Sequence, residues 1–251
     1  MFDLYNSFSL NLYDWLQLLL CAIGIGMAKT GLGGIGLLIV PVMAGIFGAK
    51  SSTGIVLILL IMADLFGVGY YHQHADIKKI IRLAPSAIVG ISIGVIVGDS
   101  TSEDNFKVIL STTVLLGALL TVFQRTEKKS ENINIIFTIF VGLLGGFSTM
   151  VGNAAGPIMT IYFLSMGFKK NKFIGTAAWF FLLVNLFKVP FQIFIWKTID
   201  MRVFLFDLCL FPLIYMGAIT GVWIVKKIPE KPYRIFLIVS VLLSTIRLLF
   251  L

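Results

Sequence analysis

Apolar runs of near-membrane length, separated by short polar turns, follow one another along the whole chain. They fall at about 13–47, 52–72, 80–98 and 106–123, then at about 134–168, 173–196, 203–225 and 233–251. Runs near twenty residues without period-two alternation predict membrane-spanning helices and not the strands of a barrel. The expected fold class is therefore all-α and polytopic. The leading run of each set is too long for one span. About 35 residues at 1.5 Å each would make a helix of about 50 Å, against a hydrocarbon core of about 30 Å. Each leading run is also interrupted, by "KTGLGGIG" in one and "MVGNAAGP" in the other. Either the run crosses once with a kink, or it enters and returns as two short helices.

The two sets of four runs repeat one another. "ADLF" at Ala63–Phe66 is matched by "VNLF" at Val184–Phe187, and Gly24, Gly31 and Gly54 by Gly145, Gly152 and Gly175, all at an offset of 121. Pro85, Gly90 and Gly94 recur as Pro212, Gly217 and Gly221 at an offset of 127. The most polar segment, "QRTEKKSEN", lies between the sets. The chain thus divides into an N-terminal repeat, 1–123, a linker, 124–134, and a C-terminal repeat, 135–251.

Charge decides between a kinked and a returning leading run. With 20 Lys and Arg against 12 Asp and Glu, the formal net charge is +8. Spread over short loops, that excess reads as a topology signal and not as a nucleic-acid surface. Eighteen of the Lys and Arg lie in loops and ends. If each leading run crosses once, they divide 9 to 9 between the two faces; if each returns, they divide 13 to 5. Only the returning arrangement carries the Lys/Arg bias that orients membrane proteins. It places the linker in the cytoplasm and the N-terminus outside. It also makes the second repeat inverted relative to the first, each repeat being a broken, returning helix pair followed by three transmembrane helices. Inverted repeats with broken helices recur among secondary transporters, with the solute held near the midplane. The first run lacks a basic flank, as "MFDLYNSFSLNLYDW" shows, and is expected to stay in the mature protein.

The breaks are the candidate site. Four glycines within six residues, Gly31, Gly33, Gly34 and Gly36, disfavour helix, and irregular backbone is tolerated in a bilayer only where protein or water covers it. A helix restarting after each break presents unpaired N–H groups and about half a positive charge. Lys29 and Thr30 stand beside the first break. Gly152, Asn153, Ala154 and Ala155 form the second, with Asn153 expected as N-cap and Pro157 in the first helical turn. Such a point attracts anions. Lys29 either faces this site or snorkels to an interface; Lys188 either joins it or reaches headgroups. Asp64 and its counterpart Asn185 lie mid-helix. Asp64 either pairs with Lys29 or Lys188, or carries a proton as a coupling residue. Asp207 is expected near an interface, His72 and His74 in solvent, and Trp179–Phe181 in packing. Pro41, Pro85, Pro190 and Pro212 are expected to kink helices.

Several chemistries find no support. Gly31, Gly33 and Gly36 satisfy G-x-G-x-x-G, but without the βαβ context that gives the spacing meaning. There is no phosphate-loop motif, HExxH, CxxC or paired intramembrane carboxylate, and only two Cys and two His. No enzyme, cofactor or metal cluster is expected, and no oligomeric state is assigned.

"KTGLGGIGLLIVPVMA", "GNAAGPIMTIY" and "GTAAWFFLLVNLFKVPF" resemble the sulfite exporter TauE/SafE family, also described as the toluene sulfonate uptake permease family. The resemblance covers nearly the whole chain. Its glycine-rich half-motifs fall on Gly31–Pro41 and Gly152–Pro157. It implies a bacterial inner-membrane carrier of small sulfur-containing anions such as sulfite or sulfonates. A channel for such anions, or a carrier of other small carboxylate-type anions, is the alternative.

Overall fold

The computed structural model describes residues 10–122, 134–229, 231–233, 235 and 239. They are helical throughout: α1 (Leu12–Lys29), α2 (Gly36–Phe47), α3 (Ser51–Tyr71), α4 (Ile77–Asp99), α5 (Glu103–Val122), α6 (Ile135–Gly152), α7 (Gly156–Ser165), α8 (Lys170–Phe194), α9 (Met201–Cys209) and α10 (Phe211–Lys227). Among the described residues, five helices are long and apolar enough to cross a membrane, or six if the bent pair α9–α10 is one span. Residues 124–133 of the linker at 124–134 and nearly all of the last apolar run lie outside the described residues.

Both leading runs are broken helix pairs. α1 begins with a capping box, Asn11 Oδ1 accepting from the Asp14 N–H at 2.9 Å while Asp14 Oδ2 accepts from the Asn11 N–H at 3.1 Å. It ends at Lys29, where Gly31 takes φ +132°, a backbone region that L side chains rarely adopt. A 3₁₀ turn, Gly33–Ile35, leads into α2, which doubles back: Gly24 of α1 faces Ile35 and Ile39, and Ala28 faces Gly36. In the second pair, α6 ends in a left-handed Asn153 (φ 54°), and Pro157 opens α7. α7 then runs back along α6, with Met159 against Gly145 and Tyr162 Oη donating to Thr138 Oγ1 at 3.1 Å.

The sets interlock. α4 packs on α6, and α10 on α1. Each crossing is so close that a methyl on Gly90 would lie 2.2 Å from the Leu143 carbonyl oxygen, and one on Gly217 2.1 Å from that of Ile23. With little hydrophobic driving force between helices in lipid, such small-residue contacts let backbones approach for dispersion to act. α3 and α8 cross antiparallel at the centre. Gly54 at the start of α3 meets Thr198 just beyond α8, and Gly175 at the start of α8 meets the Tyr71 carbonyl at the end of α3.

Two local expectations, for Asn153 and Asp207, need correction, and one, the kink at Pro212, is met. Asn153 caps the C-terminus of α6, not the N-terminus of α7, whose N-cap is Ala155 with no side-chain bond. The run expected at 203–225 bends by 49° between Cys209 and Phe211, ahead of Pro212. Asp207, expected at an interface, is instead fully buried, and neither carboxylate oxygen has a hydrogen-bond partner among the described residues. The bent span turns its Phe206–Asp207 face inward while α9 packs on α3. His72 and His74 are exposed, as expected.

Candidate solute-binding site

α3 and α8 place their polar residues on facing stripes. On α8, Phe181, Asn185, Lys188 and Gln192 follow the spacing of one helical face. On α3, Thr53, Leu60 and Asp64 do the same. At the crossing, Asn185 Nδ2 donates to Asp64 Oδ2 at 2.7 Å. The other Asp64 oxygen pairs with Lys29 Nζ at 2.9 Å. That ammonium also lies 4.1 Å from the Phe181 ring centroid, a cation–π distance. Asp64 is fully buried and Lys29 is 12% exposed, so the pair lies inside the helix bundle.

Lys188 is fully buried too. Its ammonium donates to Asn153 Oδ1 at 2.6 Å, Asn185 Oδ1 at 3.0 Å and Thr149 Oγ1 at 3.2 Å. Three donors meet three acceptors, all of them neutral. Asn185 thus turns its amide toward the carboxylate and its oxygen toward the ammonium. The cluster of Lys29, Asp64 and Lys188 carries a formal charge of +1 with every hydrogen bond of Lys188 in place.

A cavity of about 90 Å³ adjoins this cluster. Small-molecule pockets usually measure roughly 300–1,000 Å³, so this one suits a solute of a few heavy atoms. Its walls are mainly apolar, with Lys29, Thr149, Asn153, Thr160 and Asn185 as polar members. Gly33 and Gly156, at the two breaks, line it and have no atom within 4 Å of where a Cβ would stand. Both α2 and α7 begin there without side-chain caps, and helix starts carry positive partial charge.

Of the residues the sequence singled out, Lys29, Gly31, Gly33, Gly36, Asn153, Ala154 and Asn185 line the cavity. Lys188 stands one layer behind it, joined through Asn153 and Asn185. Asp64 is reached through Lys29 and Asn185. Gly34 lies within the 3₁₀ turn. Thr30 turns away, its hydroxyl donating to the Gly26 carbonyl of its own helix at 2.9 Å. Gly152 packs against Leu110, and Ala155 is buried in the core beside the break. The sequence reading passed over Thr149, Thr53, Gln192 and Phe181. For Phe181 and Gln192 the signal was present, because both continue the face that carries Asn185 and Lys188.

Broken helices that meet near a buried polar centre recur among secondary membrane transporters. The family described as Sulfite exporter TauE/SafE matches residues 18–248, and the chain belongs to that family. Neither a curated protein nor a solved structure matches it.

Proposed function

We propose that the protein is a secondary carrier of small sulfur-containing anions, sulfite or a sulfonate, working by alternating access. One observation carries this reading: a +1 cluster of Lys29, Asp64 and Lys188 held beside a cavity sized for a small oxyanion. A buried uncompensated charge is costly in a bilayer, and a monoanion in the cavity offsets it. Lys29, the uncapped starts of α2 and α7, Asn153 and Asn185 are the binding groups in this reading.

Two inverted repeats, 1–123 and 135–251, are the framework. Support comes from the antiparallel crossing of α3 and α8, which brings Asp64 opposite Asn185 at the repeat offset of 121. The exchanged packing, α4 on α6 and α10 on α1, agrees. The Lys/Arg bias favours an external N-terminus and a cytoplasmic linker in the inner membrane.

Direction follows from the potential. Moving one charge is worth about 2.3 kcal/mol per 100 mV, so an inside-negative membrane drives anions outward. Export agrees with the family's description. Inward movement requires added positive charge, and Asp64, between Lys29 and Asn185, is the proton carrier.

Protein in liposomes should move labelled sulfite or a sulfonate, and external unlabelled anion should accelerate efflux by counterflow, which a channel does not do. Lys29→Ala should lose most of that flux while remaining monodisperse. Asp64→Asn should keep exchange but lose acceleration of uptake by an inward proton gradient. Unchanged flux in Lys29→Ala removes that residue from the site.

A further inference from the structure

Beside the cavity runs a seam too narrow for a water molecule, lined by Val40, Ser52, Thr53, Val56, Leu110 and Gly152, with Asn153 at its inner end. Its members correspond to those of the open cavity. Gly152, Ser52, Thr53 and Val56 stand at the repeat offset of 121 from Gly31, Phe173, Ile174 and Ala177, all four of which line the cavity. The same repeat positions thus enclose open space on one side of the Asp64–Asn185 crossing and a shut seam on the other.

The seam joins two spaces. Val40, Val56 and Asn153 line both it and the cavity. Val40 and Leu110 line both it and a surface cleft of about 380 Å³ between α2 and α5, where Lys107 and Glu103 also lie. Two contacts keep it shut. The Leu110 side chain fills the place of a Cβ on Gly152, 2.3 Å from where that atom would be. Asn153 Nδ2 donates to the Thr53 carbonyl at 3.1 Å, tying the end of α6 to the start of α3. Asn153 also accepts from Lys188, so this tie is connected to the charged cluster.

We infer that this seam is the second gate of the central cavity, with Leu110 as its plug, and that a small oxyanion passes through it to the α2/α5 cleft when it opens. The inference rests on the two-repeat transporter reading above. In the alternate state the two sides exchange: the seam widens, and the Phe173–Ala177 side closes. The Asn153–Thr53 bond breaks in that step, and Lys188 loses or changes one of its three acceptors.

Accessibility of single cysteines tests this without any sulfur anion, so its failure is distinct from failure of the substrate assignment. In a Cys21→Ala, Cys209→Ala background, Ser52→Cys, which lines the seam and not the cavity, and Ala177→Cys, which lines the cavity and not the seam, would each be exposed in oriented vesicles to a membrane-impermeant thiol reagent, added to one side at a time. Ala177→Cys should react from one side only, and Ser52→Cys from the opposite side only. Adding Leu110→Ala should raise the Ser52→Cys rate by at least about tenfold, since the plug is the main packed group holding the seam shut. Asn153→Gly, which keeps the left-handed backbone but removes the tie, should act in the same direction. An Ala177→Cys rate no lower in these backgrounds shows that the fold survives. The gate is refuted if both cysteines react from the same side, if Ser52→Cys reacts from neither, or if both Leu110→Ala and Asn153→Gly leave its rate unchanged.

Discussion

Asn185 and Asp64, 121 residues apart in the chain, meet across the α3/α8 crossing with Asn185 Nδ2 2.7 Å from Asp64 Oδ2. One carries a charge and the other does not, and that asymmetry sets the electrostatics of the centre. A carboxylate at both positions would leave the cluster with no excess positive charge. With an amide at Asn185, one of the two ammonium charges stays uncompensated.

The Lys29–Asp64 pair should behave as a unit. Removing one member of a buried ion pair costs about 3–5 kcal/mol because the other charge is stranded, whereas replacing both is far less harmful. Lys29→Met and Asp64→Asn should each lower the thermal midpoint in detergent, and the double variant should recover most of the loss. Additive losses would show that the 2.9 Å contact is not what stabilises either group.

Helix crossings should be intolerant at specific glycines. At Gly90 and Gly217 a methyl would lie 2.2 Å and 2.1 Å from backbone oxygens, which cannot swing aside. Gly90→Ala and Gly217→Ala should each destabilise by about 1–3 kcal/mol, the usual range for overpacking. Gly69, on the same bundle but facing open space, is the control. Gly69→Ala should be neutral or stabilise by up to about 1 kcal/mol through helix propensity. Thermal unfolding of the three variants side by side checks both expectations.

Acid should loosen the turn between α3 and α4. Partial burial pushes the Asp76 carboxyl up, but the Lys172 ammonium at 2.8 Å and the backbone N–H of Lys79 push it down by more. The net result lies below the ordinary carboxylate value. A lowered folded value means the contribution is present above the unfolded pKa, about 3.9, and disappears as pH falls through the folded value. The thermal midpoint of Asp76→Asn should therefore lie below that of the parent near neutral pH and converge with it as pH falls through the lowered folded value. Salt should narrow the gap, since the Lys172 end of the pair is exposed.

Much of this arrangement was legible in the sequence, and the exceptions have physical causes. Glycine-rich breaks and the pairing of Asp64 with Lys29 leave marks in the sequence, because backbone that cannot be helix and charge within apolar runs are both costly in lipid. Thr30 was read as a binding group, yet its hydroxyl satisfies a carbonyl of its own helix. Either use is open to a threonine near a helix end, and only the packing of α10 against α1 decides. Asn153 likewise can open a helix or close one in the left-handed conformation, and it does the latter. The burial of Asp207 follows from the bend between α9 and α10; Pro212 marks the bend in the sequence but not which face of α9 it turns inward. Thr53, Thr149 and Gln192 are ordinary residues in apolar helices until the crossing brings them together.

Equilibrium titration of sulfite into purified protein bears most directly on the uncompensated charge. Lys188 does not line the cavity, so Lys188→Met removes no lining side chain while bringing the formal charge of the cluster from +1 to zero. Unit charges a few ångströms apart near protein interact by about 4 kcal/mol, enough that affinity should fall by at least about tenfold. A Lys188→Met protein that folds and binds sulfite as tightly as the parent would contradict the account.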